Sequence, residues 1–184
     1  MAAVKAAHYP CSTASAPLAQ RAVVAALLMA LALAGCGKPE TVRSQPPPRD
    51  WSGSPPNDPA AANAVLMRAI GLVGTPYRYG GNTPDTGFDC SGLVNYVFRD
   101  MLDVRLPRTS RELAGMQGPK IPTHRLAPAD LVFFGSGGEV SHVGIYVGEG
   151  RFVHAPRTGG TVRLDRLDGA YWRDHYSGAK RILD

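Results

Sequence analysis

An α+β fold is predicted by two changes of pattern along residues 60–184: helical periodicity comes first, alternating strand-like segments follow, and turn residues separate the strands at short intervals. Ala64, Val65, Met67, Arg68, Ile70 and Leu72 predict a first helix, stopped near Gly71 or Gly74 ahead of Pro76. A Gly-rich loop from Tyr77 to Phe88 leads to a second helix. Leu93, Val94, Val97, Phe98 and Met101 supply its apolar face, and Asp89 its N-cap. Thr109 and Glu112 have the spacing of a capping box, which starts a short helix toward Met116. The period then changes. Leu131–Phe134, Val143–Val147, Phe152–Val153 and Thr161–Leu164 read as antiparallel strands. Trp172 and Tyr176 suit a terminal helical turn, with Arg181-Ile182-Leu183 as a last strand.

The first third is of another kind. Residues 22–34 form an apolar run preceded by Lys5 and Arg21, with no acidic residue among the first 35. The run falls short of the ~20 residues that span a bilayer, and it suits the core of a signal peptide. It ends in Leu33-Ala34-Gly35-Cys36, which resembles the lipobox of bacterial lipoproteins. That resemblance implies cleavage before Cys36 and lipid on that new N-terminal cysteine. Three segments are therefore expected: 1–35 as signal, 36–59 as a lipidated, Pro-rich tether, and 60–184 as the folded domain. Seven of the 16 prolines fall in residues 37–59, enough for a semi-extended spacer reaching on the order of 70 Å at ~3.1 Å per residue. Trp51 within it could dock on the domain, but exposure is the expectation.

The net charge of +5 falls to +3 once Lys5 and Arg21 are removed, and the basic residues are scattered. No nucleic-acid partner is expected from such a surface. The three cysteines have separate fates. Cys11 leaves with the signal, Cys36 carries lipid, and Cys90 remains a lone thiol in an oxidising compartment. An unpaired cysteine there is a liability unless its reactivity is used.

Cys90 sits in the first turn of its helix, where free N–H groups and the helix dipole favour a thiolate. A nucleophile of this kind needs a base, and His142 and His154 lie on two successive strands. Side chains alternate along strands, so the two histidines share a face only in one parity of register. A three-residue loop, Gly148 to Gly150, or an equivalent bulge, achieves this. It pairs Val147 with Arg151 and Gly144 with His154, leaving His142 diagonal to His154. Cys90 would then attack an amide carbonyl, His142 would move the proton, and His154 would orient His142. Backbone N–H groups at the helix start, with a Tyr hydroxyl, would meet the oxyanion.

These segments together resemble the NlpC family of papain-like cell-wall cysteine peptidases. They are Gly74-Thr75-Pro76-Tyr77-Arg78-Tyr79-Gly80-Gly81, Phe88-Asp89-Cys90-Ser91-Gly92-Leu93-Val94, Leu106-Pro107-Arg108-Thr109-Ser110, Asp130-Leu131-Val132-Phe133-Phe134, His142-Val143-Gly144-Ile145-Tyr146 and Phe152-Val153-His154-Ala155. The resemblance implies Cys90 as nucleophile, His142 as base and His154 as orienting residue. It places Tyr77 beside the nucleophile, and Asp89 and Ser91 with it on the substrate or oxyanion side. It implies peptidoglycan peptides as substrate, cut at D-Glu–diaminopimelate or diaminopimelate–D-Ala bonds, with no metal or cofactor. A protein activator or adaptor is left open. Gly37 after the lipidated cysteine, in place of the Asp that retains lipoproteins, points to the periplasmic face of the outer membrane. The family usually has Gly where this chain has Ala129, before Asp130-Leu131. The alternatives on the same fold are a non-catalytic lipoprotein that binds peptidoglycan or a partner, and an amidase or acyltransferase. Tyr79, Tyr146, Phe133 and Phe134 are expected in the core, and His8, His124 and His175 outside the chemistry.

Overall fold

The computed structural model describes residues 51, 53 and 55–183. The apolar run 22–34, Cys11, Cys36 and Pro46–Pro48 lie outside the described residues. Among the described residues, four α-helices and seven strands follow in the order α1 (Pro59–Gly71), β1 (Asn82–Thr83), β2 (Gly87–Phe88), α2 (Cys90–Leu102), α3 (Ser110–Gly115), β3 (Leu131–Ser136), β4 (Glu139–Gly148), β5 (Arg151–His154), β6 (Arg163–Arg166), α4 (Ala170–His175) and β7 (Tyr176–Lys180). Strands β3 to β7 make one antiparallel sheet in the order β6-β5-β4-β3-β7. Among the described residues no helix is long and apolar enough to cross a membrane.

The helix layer packs on one face of the sheet. Leu131, Phe133, Val143, Ile145 and Val153 meet Leu93, Val94, Val97 and Phe98 of α2 there, all buried. Each such side chain contributes ~1.5–3 kcal/mol through burial. Asp89 caps α2 as expected, accepting the Gly92 N–H at 2.6 Å. The Thr109–Glu112 capping box forms in both directions. In α1 the buried positions are Ala62, Val65 and Ala69, while Met67 and Ile70 are exposed. The helix therefore turns its small side to α2, a close approach that its larger residues would prevent. Arg68 pins the pair by bonds to Asp100 at 2.7 Å and Tyr96 at 2.6 Å. Met101 is partly exposed at the end of the α2 stripe.

Other expectations need correction. The last strand is Tyr176–Lys180, not Arg181–Leu183, because β3 offers its free edge to the segment directly after α4. Only Trp172 lies on that helical turn; Tyr176 begins the strand. Tyr79 is exposed, whereas Tyr146, Phe133 and Phe134 are buried. Trp51 is not free in solvent. Its indole lies against Gly150 so closely that a Cβ there would sit 2.4 Å from the ring. It packs on the second core, formed by Leu126, Val132, Phe134, Tyr146 and Phe152 on the opposite sheet face.

Ala129 adopts φ 73°, the left-handed conformation in which glycine is favoured. The strain is worth ~1 kcal/mol, but the Ala129 methyl is buried and contributes a similar amount. Ala129→Gly is therefore expected to change folding stability by less than ~0.5 kcal/mol, measured by urea unfolding. The following residue holds the turn. Asp130 accepts the Ala127 N–H at 2.8 Å and pairs with Arg181 at 2.9 Å.

Candidate active site

The β4–β5 connection decides where the histidines point. Ile145 pairs with Val153 and Tyr146 with Phe152, the register that sets Gly144 opposite His154. The expected Val147–Arg151 pair is replaced by Gly148–Arg151, with a bulge at Val147. Glu149 and Gly150 form the turn at φ 52° and 71°, the sign that suits a tight hairpin, so the odd residue is displaced into the strand. His142 Nε2 then lies 2.8 Å from His154 Nδ1, with the rings at 83° to one another. Gly144 keeps the space between them open. A Cβ there would come within 2.6 Å of Phe152 and 3.3 Å of His154 Cβ.

Cys90 opens α2 and approaches β4 where β5 has ceased to pair. The Val143 amide points at its sulfur, joined by the amides of Ser91 and Cys90 itself. The helix start therefore supplies donors, as expected, but they do not set the balance. Burial pushes the Cys90 thiol above its ordinary value, and the Asp89 charge adds to the rise. Burial also drives His142 down to about 3, with His154 adding to the fall and Asp165 opposing it. His154 falls to about 4, again through burial and against the pull of Asp165. Burial thus opposes charge on the thiol and on the imidazole alike, against the ion pair that helix position alone suggests.

Tyr77 lies beside this pair, and its loop is stitched to residues 160–162 by the Tyr77 N–H to Gly160 and the Val162 N–H to Thr75. Burial, then the nearby Cys90 and Asp89, push its phenol up. Asp89 and Ser91 are buried under Arg108. Arg108 donates to both Asp89 oxygens at 3.0 and 2.7 Å and to Ser91 Oγ at 2.9 Å. Burial works against the Asp89 charge, but Arg108 and the Gly92 amide outweigh it and hold the carboxyl below its usual range. Arg108 is therefore fixed in a bidentate pair, a role hidden in the chain because its partner is 19 residues away.

Two further residues at the site carry no local motif. Asp165 Oδ2 lies 3.1 Å from His154 Nε2, and Trp172 donates to the same oxygen at 2.8 Å. The Trp172 ring stacks on His142 at 5.4 Å and stands edge-on to His154 at 4.7 Å. Only the β5–β6 register, which sets Phe152 opposite Asp165, brings that carboxylate to the histidines. His175 is spent elsewhere, with Nδ1 2.7 Å from the Tyr171 carbonyl.

The arrangement matches known proteins. The NlpC/P60 family profile covers residues 74–181. Murein DD-endopeptidase MepH of Escherichia coli is 41% identical over 126 residues, 67% of this chain and 46% of MepH. The probable endopeptidase NlpC of the same organism is 40% identical over 158 residues, 85% of this chain and 96% of that protein. A crystal structure of an NlpC/P60 family protein from Bacillus cereus superposes with a TM-score of 0.62 at 28% identity, covering 67% of this chain and 40% of the other. The chain spans less than half the length of MepH. With the papain-like arrangement of a cysteine at a helix start against a histidine-bearing sheet, the chain belongs to the NlpC/P60 family.

Proposed function

We propose that this protein is a peptidoglycan endopeptidase that cuts stem or cross-link peptides through a Cys90 thioester. The observation that carries the reading is the 2.8 Å contact between His142 and His154, beside a thiol held at the Val143 amide. The endopeptidase names of MepH and of NlpC from Escherichia coli support the substrate class. As Cys90 attacks the carbonyl carbon, His142 takes the thiol proton, and the amides of Cys90 and Ser91 face the developing oxyanion. His142 then delivers that proton to the leaving amine. Water, deprotonated by His142, cleaves the thioester to the acid and restores the thiol. Burial of both partners keeps them neutral until the substrate arrives, so proton transfer accompanies attack. Tyr77, Asp89, Ser91 and Arg108 form the neighbouring wall, in which the Asp89 carboxylate is held by Arg108 and the Gly80 and Gly92 amides.

The test is incubation of the full chain, in mild detergent, with diaminopimelate-type sacculi and mass spectrometry of the released fragments. Cys90→Ala should lower release by a factor on the order of 10³ or more. The fragment masses distinguish a D-Glu–diaminopimelate from a diaminopimelate–D-Ala cut. No cysteine-dependent product from folded protein would overturn the peptidase reading in favour of a wall-binding role.

The same proposal includes a lipid anchor on Cys36 and residence at the periplasmic face of the outer membrane. The apolar run ending in Leu33-Ala34-Gly35-Cys36 and the Gly37 that follows support it. Membrane fractionation checks it: Cys36→Ser should move the protein to the soluble fraction. Recovery of the parent chain wholly in the inner membrane would refute the outer-membrane placement.

A further inference from the structure

We infer that Asp165 is a positioning residue that fixes the proton arrangement of both histidines and so leaves His142 Nδ1 bare as the base. The inference rests on the peptidase reading for its kinetic consequence, but its structural part stands without it.

Donors and acceptors alternate along a chain of four groups, Trp172, Asp165, His154 and His142. Asp165 Oδ2 receives Trp172 Nε1 at 2.8 Å and the Arg163 guanidinium at 2.8 and 3.2 Å, both of which can only donate. Burial raises the cost of its charge, yet Arg163 and Trp172 outweigh that and hold the carboxyl below its ordinary range, so it carries no proton near neutrality. An ionised carboxylate only accepts. His154 Nε2, 3.1 Å from the same oxygen, must therefore be the protonated nitrogen. A neutral imidazole has one N–H, so His154 Nδ1 is bare. Across 2.8 Å it can only accept, and the proton between the rings belongs to His142 Nε2. The remaining nitrogen, His142 Nδ1, is then the bare one. With its proton on Nδ1 instead, His142 would have its one lone pair, on Nε2, engaged by His154 and none left to act as a base.

His154 alone does not determine this outcome. A histidine placed between another histidine and solvent can carry its proton on either nitrogen, and the pair can invert together. Asp165 removes that freedom. Its own orientation is held from two sides, by Arg163 on the same strand and by Trp172 from α4. The indole that bonds the carboxylate is also the one stacked on His142, so a single side chain places both ends of the relay.

Nitrogen-15 spectra of the imidazoles, recorded on the full chain in detergent, test the assignment directly. The parent protein is expected to show both His142 and His154 with the proton on Nε2. Asp165→Asn retains an oxygen at the same place, because Trp172 and Arg163 donate there, so both tautomers should persist with kcat reduced no more than about tenfold. Asp165→Leu removes the acceptor. His154 should then shift its proton toward Nδ1, His142 should follow, and kcat on sacculi should fall about 100-fold with KM within twofold.

Finding His154 protonated on Nδ1 in the parent would overturn the inference. So would an Asp165→Leu protein that keeps both tautomers with kcat within twofold. Should Asp165→Leu fail to fold, the parent spectrum still decides: an inverted tautomer in the parent refutes it. A parent chain that cleaves no sacculi leaves the spectra unaffected, so failure of the peptidase reading is distinguishable from failure of this one.

Discussion

Gly92→Ala is expected to cost ~3 kcal/mol or more of folding stability and to abolish sacculus cleavage. Gly92 is the third residue of α2, in ordinary helical conformation, where alanine would normally help by ~0.5–1 kcal/mol. Here a Cβ would stand 2.0 Å from the Gly81 carbonyl oxygen and 3.0 Å from Asp89 Oδ1. Backbone has to move, since no flexible side chain can give way. Gly81 is not free to do so. Its carbonyl accepts the Asp89 N–H at 3.1 Å, and Gly80 donates to Asp89 Oδ2 at 3.0 Å. Displacing the loop therefore breaks the α2 cap and carries Tyr77 away from Cys90. Gly71→Ala is the control. It ends α1 with nothing within 4 Å of the added carbon, and it should be neutral or slightly stabilising. Chemical unfolding and alkylation of Cys90 report the two consequences. A Gly92→Ala protein as stable and as active as the parent would show that the loop and helix are not locked.

Mild acid should weaken the fold through the two histidines of the candidate site. His142 and His154 are held near 3 and 4, below the 6.5 expected of an unfolded chain, with burial as the main cause. The folded state then binds fewer protons than the unfolded state between those limits, so stability rises with pH in that window. It is complete above about pH 7, and declines as pH falls through 6.5 toward 4. Each histidine loses ~2 kcal/mol between pH 7 and pH 5, or roughly 4 kcal/mol together. The carboxylates held low, Asp89 and Asp165, act in the same direction but below this range. Urea unfolding at the two pH values checks the difference, and His142→Gln should remove about half of it. Equal stability at pH 5 and pH 7 would mean that the histidines are hydrated or charged in the folded protein.

What could be read along the chain was local or periodic. The Asp89 cap and the Thr109–Glu112 box depend on neighbours three residues apart, and both form. The parity argument for His142 and His154 succeeded because side-chain alternation is geometric, although the turn adopted a two-residue form and moved its extra residue to Val147. What could not be read depends on partners far apart. Asp165 lies 11 residues from His154 and Arg108 lies 19 from Asp89, with no motif linking either pair. The last strand was misplaced because Tyr-Ser-Gly-Ala-Lys has little strand preference of its own, and the free edge of β3 recruits it. The thiol was expected to ionise from its place on the helix, yet burial, a property of the assembled core, prevails.

The docked Trp51 bears on how far the domain would reach from the proposed lipid anchor on Cys36. With lipid on Cys36, the spacer that counts is residues 37–50 rather than 37–59, because the indole is already fastened to the body over Gly150. At the ~3.1 Å per residue of a Pro-rich spacer, fourteen residues would give that proposed leash about 43 Å instead of about 70 Å. The volume swept scales as the cube of that length, so it shrinks to about a quarter. With that anchor, the effective concentration of the site in the layer next to the membrane would rise about fourfold, and peptides beyond that layer would pass out of range.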